Sequence, residues 1–62
     1  MFKIYLSNAS VPIECEYDEG ERLMKKWINY LHGNKDVVFT FKDDSGICFA
    51  IKPETIIAIR KE

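Results

Sequence analysis

A small α+β domain with the element order ββαβββ, one helix packed on a mostly antiparallel, curved sheet, is what this 62-residue sequence predicts. Three observations carry that prediction. Two runs of alternating apolar and polar residues, "DVVFTFK" and "ICFAIK", are separated by "DDSG", the pattern of a β-hairpin. Between "CEYDEGE" and "LHGN" the apolar residues recur at helical spacing. Near the end, Ile56, Ile57, Ala58 and Ile59 stand in a row with no polar residue between them, as in a strand covered on both faces.

Taken in order, residues 2–7 alternate Phe2, Ile4 and Leu6 against Lys3, Tyr5 and Ser7, which predicts a strand with one apolar face. After the turn residues of "SNAS", Val11, Ile13, Cys15 and Tyr17 alternate with Pro12, Glu14 and Glu16 in a second strand that returns antiparallel. Pro12 has no N–H for a ladder, so this strand belongs at an edge. Asp18 and Glu21 have the spacing of a capping box, predicting a helix over about 19–32. Leu23, Met24, Trp27, Ile28 and Leu31 form its apolar face, Arg22, Lys25, Lys26 and Asn29 its solvated one, and His32 and Gly33 its end. The hairpin places Val37, Phe39, Phe41 and Ile47, Phe49, Ile51 on the side that meets Trp27. Pro53 breaks the pattern before the last short strand.

The chain has the length of one domain, residues 1–62, and one this short buries only about 60% of the surface its unfolded form exposes. Marginal stability calls for help. Cys15 and Cys48 offer no CxxC and no second ligand pair, so a zinc site is not expected. Spacing leaves a Cys15–Cys48 disulfide open, but a chain that starts at Met1 without a signal-peptide pattern is expected in a reducing cytoplasm, where both thiols act as small buried hydrophobes. Self-association is the remaining help. A hydrophobic content of 47%, a charged content of 31% and a net charge of -1 describe a folded chain, exclude disorder and remove the simplest electrostatic case for nucleic acid. No apolar run approaches the roughly 18 residues of a membrane span.

One helix cannot cover both sides of the sheet. The second face, with Tyr5, Val38, Cys48, Ala50 and either Ile57 and Ile59, the larger apolar pair, or their neighbours, is therefore the expected oligomer or partner surface, unless the sheet curls on itself. Adjacent strand residues point to opposite faces, so Ile56 with Ala58 and Ile57 with Ile59 cannot both reach the helix side.

No constellation for catalysis stands out. His32 lacks a local nucleophile or orienting carboxylate and suits the last carbonyls of a helix; the three glycines form no phosphate loop, and "DDSG" is too short for a calcium loop. No cofactor and no metal are expected. Glu14, Glu16, Asp18, Glu19 and Glu21 concentrate acid on one flank. The plainer reading is edge protection and helix capping; the sharper one is a docking patch for a basic partner. Lys3, Lys42, Lys52, Arg60 and Lys61 on strands offer the alternative of a single-stranded nucleic-acid-binding module, although the aromatics needed for stacking are expected in the core.

The last 26 residues, "VVFTFKDDSGICFAIKPETIIAIRKE", with a glycine-turn hairpin followed by aliphatic-x-Pro-x-x-Ile-Ile-x-Ile and a charged end, resemble the tail of very short uncharacterised proteins from phages, prophages and plasmids of Gram-positive bacteria. The resemblance implies a mobile-element accessory protein, a class that includes small folded binders of host proteins, and carries no functional residue over. The sequence as a whole is read as a cytoplasmic, non-enzymatic protein that acts by protein–protein contact, as a homodimer and on a host protein.

Overall fold

The computed structural model describes residues 1–35 and 39–62. Its order is β1 (Phe2–Leu6), β2 (Ile13–Cys15), α1 (Tyr17–Leu31), β3 (Phe39–Lys42), β4 (Cys48–Ile51), a single 3₁₀ turn (Pro53–Thr55) and β5 (Ile56–Lys61). The chain is α+β in the order ββαβββ, with one helix against antiparallel strands. The strands divide into two sheets, three-stranded β2-β1-β5 and the hairpin β3-β4. The expected strand residues Val37 and Val38 lie outside the described residues.

β1 is the central strand of the three-stranded sheet, paired on both sides. Phe2 and Ile4 are fully buried and Leu6 packs against the same core, while Lys3 and Tyr5 point the other way. β2 is shorter than expected. Val11 is exposed, Pro12 adds no ladder hydrogen bond, and Ile13–Cys15 alone pair with β1. Tyr17 belongs to the helix, which starts two residues before the expected position, and its N-cap is Glu16 with no side-chain cap hydrogen bond. The capping box is therefore corrected: Asp18 lies inside the first turn, where its charge still favours the helix dipole. The helix stops as the sequence indicates. Gly33 takes φ 108°, its N–H donates to the Tyr30 carbonyl and the Asn34 N–H to the Asn29 carbonyl, the paired bonds of a Schellman end.

The buried helix face is rotated from the expected one. Gly20 and Leu23 are buried, and Met24, Trp27 and Tyr30 pack against the core, but Ile28 (45% exposed) and Leu31 (59%) turn to solvent. Gly20 sets this orientation. A Cβ there would run into the Phe2 ring, so the missing side chain is what lets the helix lie on β1. Tyr17 meets Phe2 edge-on at 5.6 Å and Tyr30 meets Phe39 edge-on at 6.3 Å, at the two ends of the helix.

The hairpin follows its alternation. Phe39 and Phe41 are buried, Phe49 and Ile51 pack on the core, and the Phe41 and Phe49 rings stack at 5.6 Å. Thr40, Lys42, Cys48 and Ala50 face outward. Cys15 is buried as expected, but Cys48 is exposed, which corrects its assignment to the core. Both are free thiols, so the disulfide left open by spacing is not formed.

The row of isoleucines is resolved by a β-bulge. Ile4 pairs with Ile59 and Tyr5 with Ala58, but Leu6 pairs with Ile56, leaving Ile57 as the extra residue. The bulge breaks the parity, so Ile56 and Ile59 both enter the core at 8% exposure while Ile57 is 62% exposed. The expected placement of Ile59 on an outer surface with Ile57 is thereby overturned. The Thr55 hydroxyl donates to the Lys52 carbonyl at 2.6 Å and the Ser7 N–H to the Thr55 carbonyl at 2.8 Å, which fixes the turn that feeds β5.

The folded chain exposes 4135 Å². A compact monomer of its 7.3 kDa mass is expected to expose about 4,200 Å². The exposed area is that of a chain compact about a single core. Ile56→Lys should bury a charge without a partner and abolish cooperative unfolding, because total stability is on the order of 5 kcal/mol in so small a domain. Ile57→Lys should fold with a near-wild-type melt. Circular-dichroism melts of the two variants check the bulge, and the reverse pattern would refute it.

Candidate functional site

Helix start, β2 and the hairpin turn converge on one end of the molecule. Asp18 and Glu19 stand in the first helical turn because Glu16 caps it. Arg22, one turn on, donates both to the Glu19 carboxylate and, at 2.9 Å, to the Thr40 carbonyl, which ties the helix to the open edge of β3. That hydrogen bond is the main reason the Glu19 carboxyl is held below its usual range. The Asp44 N–H donates at 2.9 Å to the Glu14 carbonyl, which ties the hairpin turn to the free edge of β2.

The turn itself is organised by Asp43. Its Oδ1 accepts from the Ser45 N–H at 3.0 Å, the Ser45 hydroxyl at 2.8 Å and the Ile47 N–H at 2.8 Å, and Gly46 supplies φ 87°. These bonds, the Ser45 side chain first, push the Asp43 carboxyl down from its ordinary value.

The result is an open groove of about 490 Å³ whose lining includes Glu16, Asp18, Glu19, Asp43 and Asp44, with Lys42 as its basic member. Glu14 meets it only through its backbone carbonyl, bonded by Asp44. Sequence reasoning found Glu16, Asp18 and Glu19 but missed Asp43 and Asp44, which looked only like turn residues. It also included Glu14, whose charge instead acts on Lys3, and Glu21, whose charge acts on Lys61 at the other side of the helix start. Among the described residues, no group of three or more His, Cys, Asp or Glu side chains is arranged to hold a metal ion.

The expected apolar surface is not one surface. Tyr5 and Ile57 belong to the three-stranded sheet, Cys48 and Ala50 to the hairpin, Ile59 to the core, and Val38 lies outside the described residues. The strand cations do not form one patch. Lys3 and Arg60 stand opposite one another, 3.2 Å and 3.8 Å from the Glu62 carboxylate, whereas Lys61 lies over the Tyr17 ring and donates to its hydroxyl at 3.0 Å, and Lys42 lines the acidic groove. His32 is the exposed C-cap of the helix.

Comparison with protein-family models, curated proteins and solved structures gave no match. Among the described residues, no helix is long and apolar enough to cross a membrane.

Two measurements follow from the geometry. The depressed Asp43 pKa means that the unfolded chain takes up the proton first as pH falls, so its stabilisation is complete above the ordinary carboxylate value of about 4 and is lost below it. Asp43→Ala should lower the melting temperature at neutral pH and flatten part of the acid loss; parallel acid profiles for the two proteins would remove Asp43 from this role. Burial pushes the Cys15 thiol up and shields it, whereas Cys48 is exposed. An alkylating reagent should modify one thiol per native chain, mapped to Cys48, and both after denaturation.

Proposed function

We propose that this protein is a non-enzymatic binder that acts by protein–protein contact, with its acidic end as the docking surface for a basic patch on another protein. The observation that supports the reading is the meeting of Glu16, Asp18 and Glu19 with Asp43 and Asp44 from a distant part of the chain, with Arg22 and Lys42 as the local cations among the described residues. Such a field steers a cationic partner and selects against anionic ones. The backbone under it is held by the Arg22–Thr40 and Asp44–Glu14 hydrogen bonds, so binding orders little that is not already ordered. Free thiols fit a reducing, cytoplasmic setting. With the resemblance of its last 26 residues to short phage, prophage and plasmid proteins, the partner class is a basic host protein, including proteins whose basic surface grips nucleic acid. The protein's association with itself is a separate contact.

The test is a titration with a basic probe, poly-L-lysine, and with a single-stranded oligonucleotide, at low and physiological ionic strength. Wild type should bind the polycation in a salt-sensitive way. Glu16→Gln combined with Asp44→Asn should weaken that binding several-fold, whereas Glu54→Gln, an exposed acid of the 3₁₀ turn, should not. Equal weakening by both would mean that net charge alone is being read and would refute the docking surface. Salt-dependent binding of the oligonucleotide instead would favour the nucleic-acid alternative.

A further inference from the structure

Among the described residues the two sheets end in four strand edges, and three of them are blocked by identifiable means. At β2, Pro12 precedes the strand and the Glu14 carbonyl is occupied by the Asp44 N–H. At β3, the Arg22 guanidinium occupies the Thr40 carbonyl. At β5, Ile57 bulges and Arg60, Lys61 and Glu62 crowd the end. Among the described residues the edge of β4 shows no such device, although Leu6, Asn8 and Thr55 line a pocket together with Ala50, Ile51 and Lys52. From Ile47 to Ile51 it is uncharged, free of proline, and presents only the small outward side chains of Cys48 and Ala50.

The ladder shows which of its backbone groups are open. Thr40 turns its carbonyl to Arg22, away from β4, so its cross-strand pair with Ala50 is of the non-hydrogen-bonded kind. The Asp43 N–H bonds the Ile47 carbonyl at 3.0 Å, which places Phe41–Phe49 in the hydrogen-bonded set by the same alternation. The N–H and C=O of Cys48 and Ala50 therefore point out of the sheet. The core side of β4 is also incompletely covered: Phe49 and Ile51 are only partly buried and Ile47 is 58% exposed.

We propose that β4 pairs antiparallel with β4 of a second copy of this chain, about a two-fold axis at Phe49, joining two hairpins into a four-stranded sheet. In this register Cys48 faces Ala50 of the second copy and exchanges both hydrogen bonds with it, on each side of the axis. Phe49 faces Phe49 of the second copy, at the kind of position where cross-strand side chains come closest. Ile47 comes opposite Ile51 of the second copy and loses its exposure.

Charge selects this arrangement. No like charges stand opposite one another along the joint. The antiparallel pairing sends the two acidic turns to opposite ends, and it brings the exposed Lys52 opposite Gly46 of the second copy, next to that copy's Asp43 and Asp44. A joint of five residues per strand buries less than the roughly 800 Å² per partner of a stable interface, so the dimer is a weak one, filled only at high protein concentration. It does not depend on the docking role of the acidic end.

The test is sedimentation equilibrium over a concentration series to the millimolar range, combined with residue-resolved amide exchange. Mass should rise from monomer toward dimer, and protection of the Cys48 and Ala50 amides should rise with it while the β5 amides stay unchanged. Ala50→Pro removes an N–H that β3 does not use, so it should leave the melt close to wild type and hold the chain monomeric. If that variant fails to fold, Ala50→Lys, which sets charges into the joint, decides in its place. A chain that stays monomeric with fast-exchanging Cys48 and Ala50 amides overturns the proposal. So does a dimer that persists in a folded Ala50 variant, or one whose protection appears at β5. Loss of polycation binding with an intact dimer, or the reverse, separates this proposal from the docking surface.

Discussion

The closeness of the helix to β1 depends on one missing side chain. Gly20 lies against the Phe2 ring with no room for a Cβ, although a glycine in a helix interior costs about 1 kcal/mol relative to alanine. What offsets that cost is the approach itself. With the helix close to the sheet, Phe2 and Ile4 lose all exposure, Leu23 drops beside them, and the Tyr17 ring closes edge-on over Phe2. The same seat fixes the rotation of the helix. Tyr30 is turned to Phe39, while Ile28 and Leu31 are turned away from the core.

A helix of 15 residues cannot roof a sheet and close the ends as well, and the hairpin supplies what it leaves uncovered. Phe39 and Phe41 enter the same cluster as Phe2, Ile4, Cys15, Leu23, Ile56 and Ile59. Both covers belong to one face of the three-stranded sheet. The other face is treated as a surface, with Lys3 and Arg60 sharing the carboxylate of Glu62. Such exposed pairs add little stability, but they make an uncovered face tolerable in water. The double-sided apolar run at Ile56–Ile59 does not contradict this, because the bulge at Ile57 lets two isoleucines point inward and one outward.

What could be read in the sequence was local. The alternation of Phe39–Thr40–Phe41–Lys42 against Cys48–Phe49–Ala50–Ile51 needs no information from elsewhere, and the hairpin forms as the pattern dictates. Gly33 marks the helix end for the same reason. The helix start and the length of β2 were misjudged locally, but the larger failures were set by partners distant in sequence. The buried stripe of the helix is offset because Phe2 selects Gly20; parity through Ile56–Ile59 fails because β1 imposes a bulge; Cys48 looks like core until the hairpin is known to turn that face to water. The acidic end was half visible. Its β2 and helix residues adjoin in sequence, whereas Asp43 and Asp44 join them only when the hairpin turn bonds to Glu14.

That bond bears on how contacts with other molecules relate to stability. A partner that binds the folded chain and not the unfolded one adds to stability by mass action. The hairpin that would otherwise be the loosest element is fastened at its tip by Asp44 to Glu14 and along its β3 edge by Arg22 to Thr40. It presents two different chemistries from one rigid piece, an acidic turn and an uncharged strand edge. With both of its inward contacts fastened, the β4 edge is the side of the hairpin whose backbone groups have no backbone partner among the described residues. A variant that loosens the tip should therefore disturb both surfaces together, whereas a change confined to Cys48 or Ala50 can act on the edge alone.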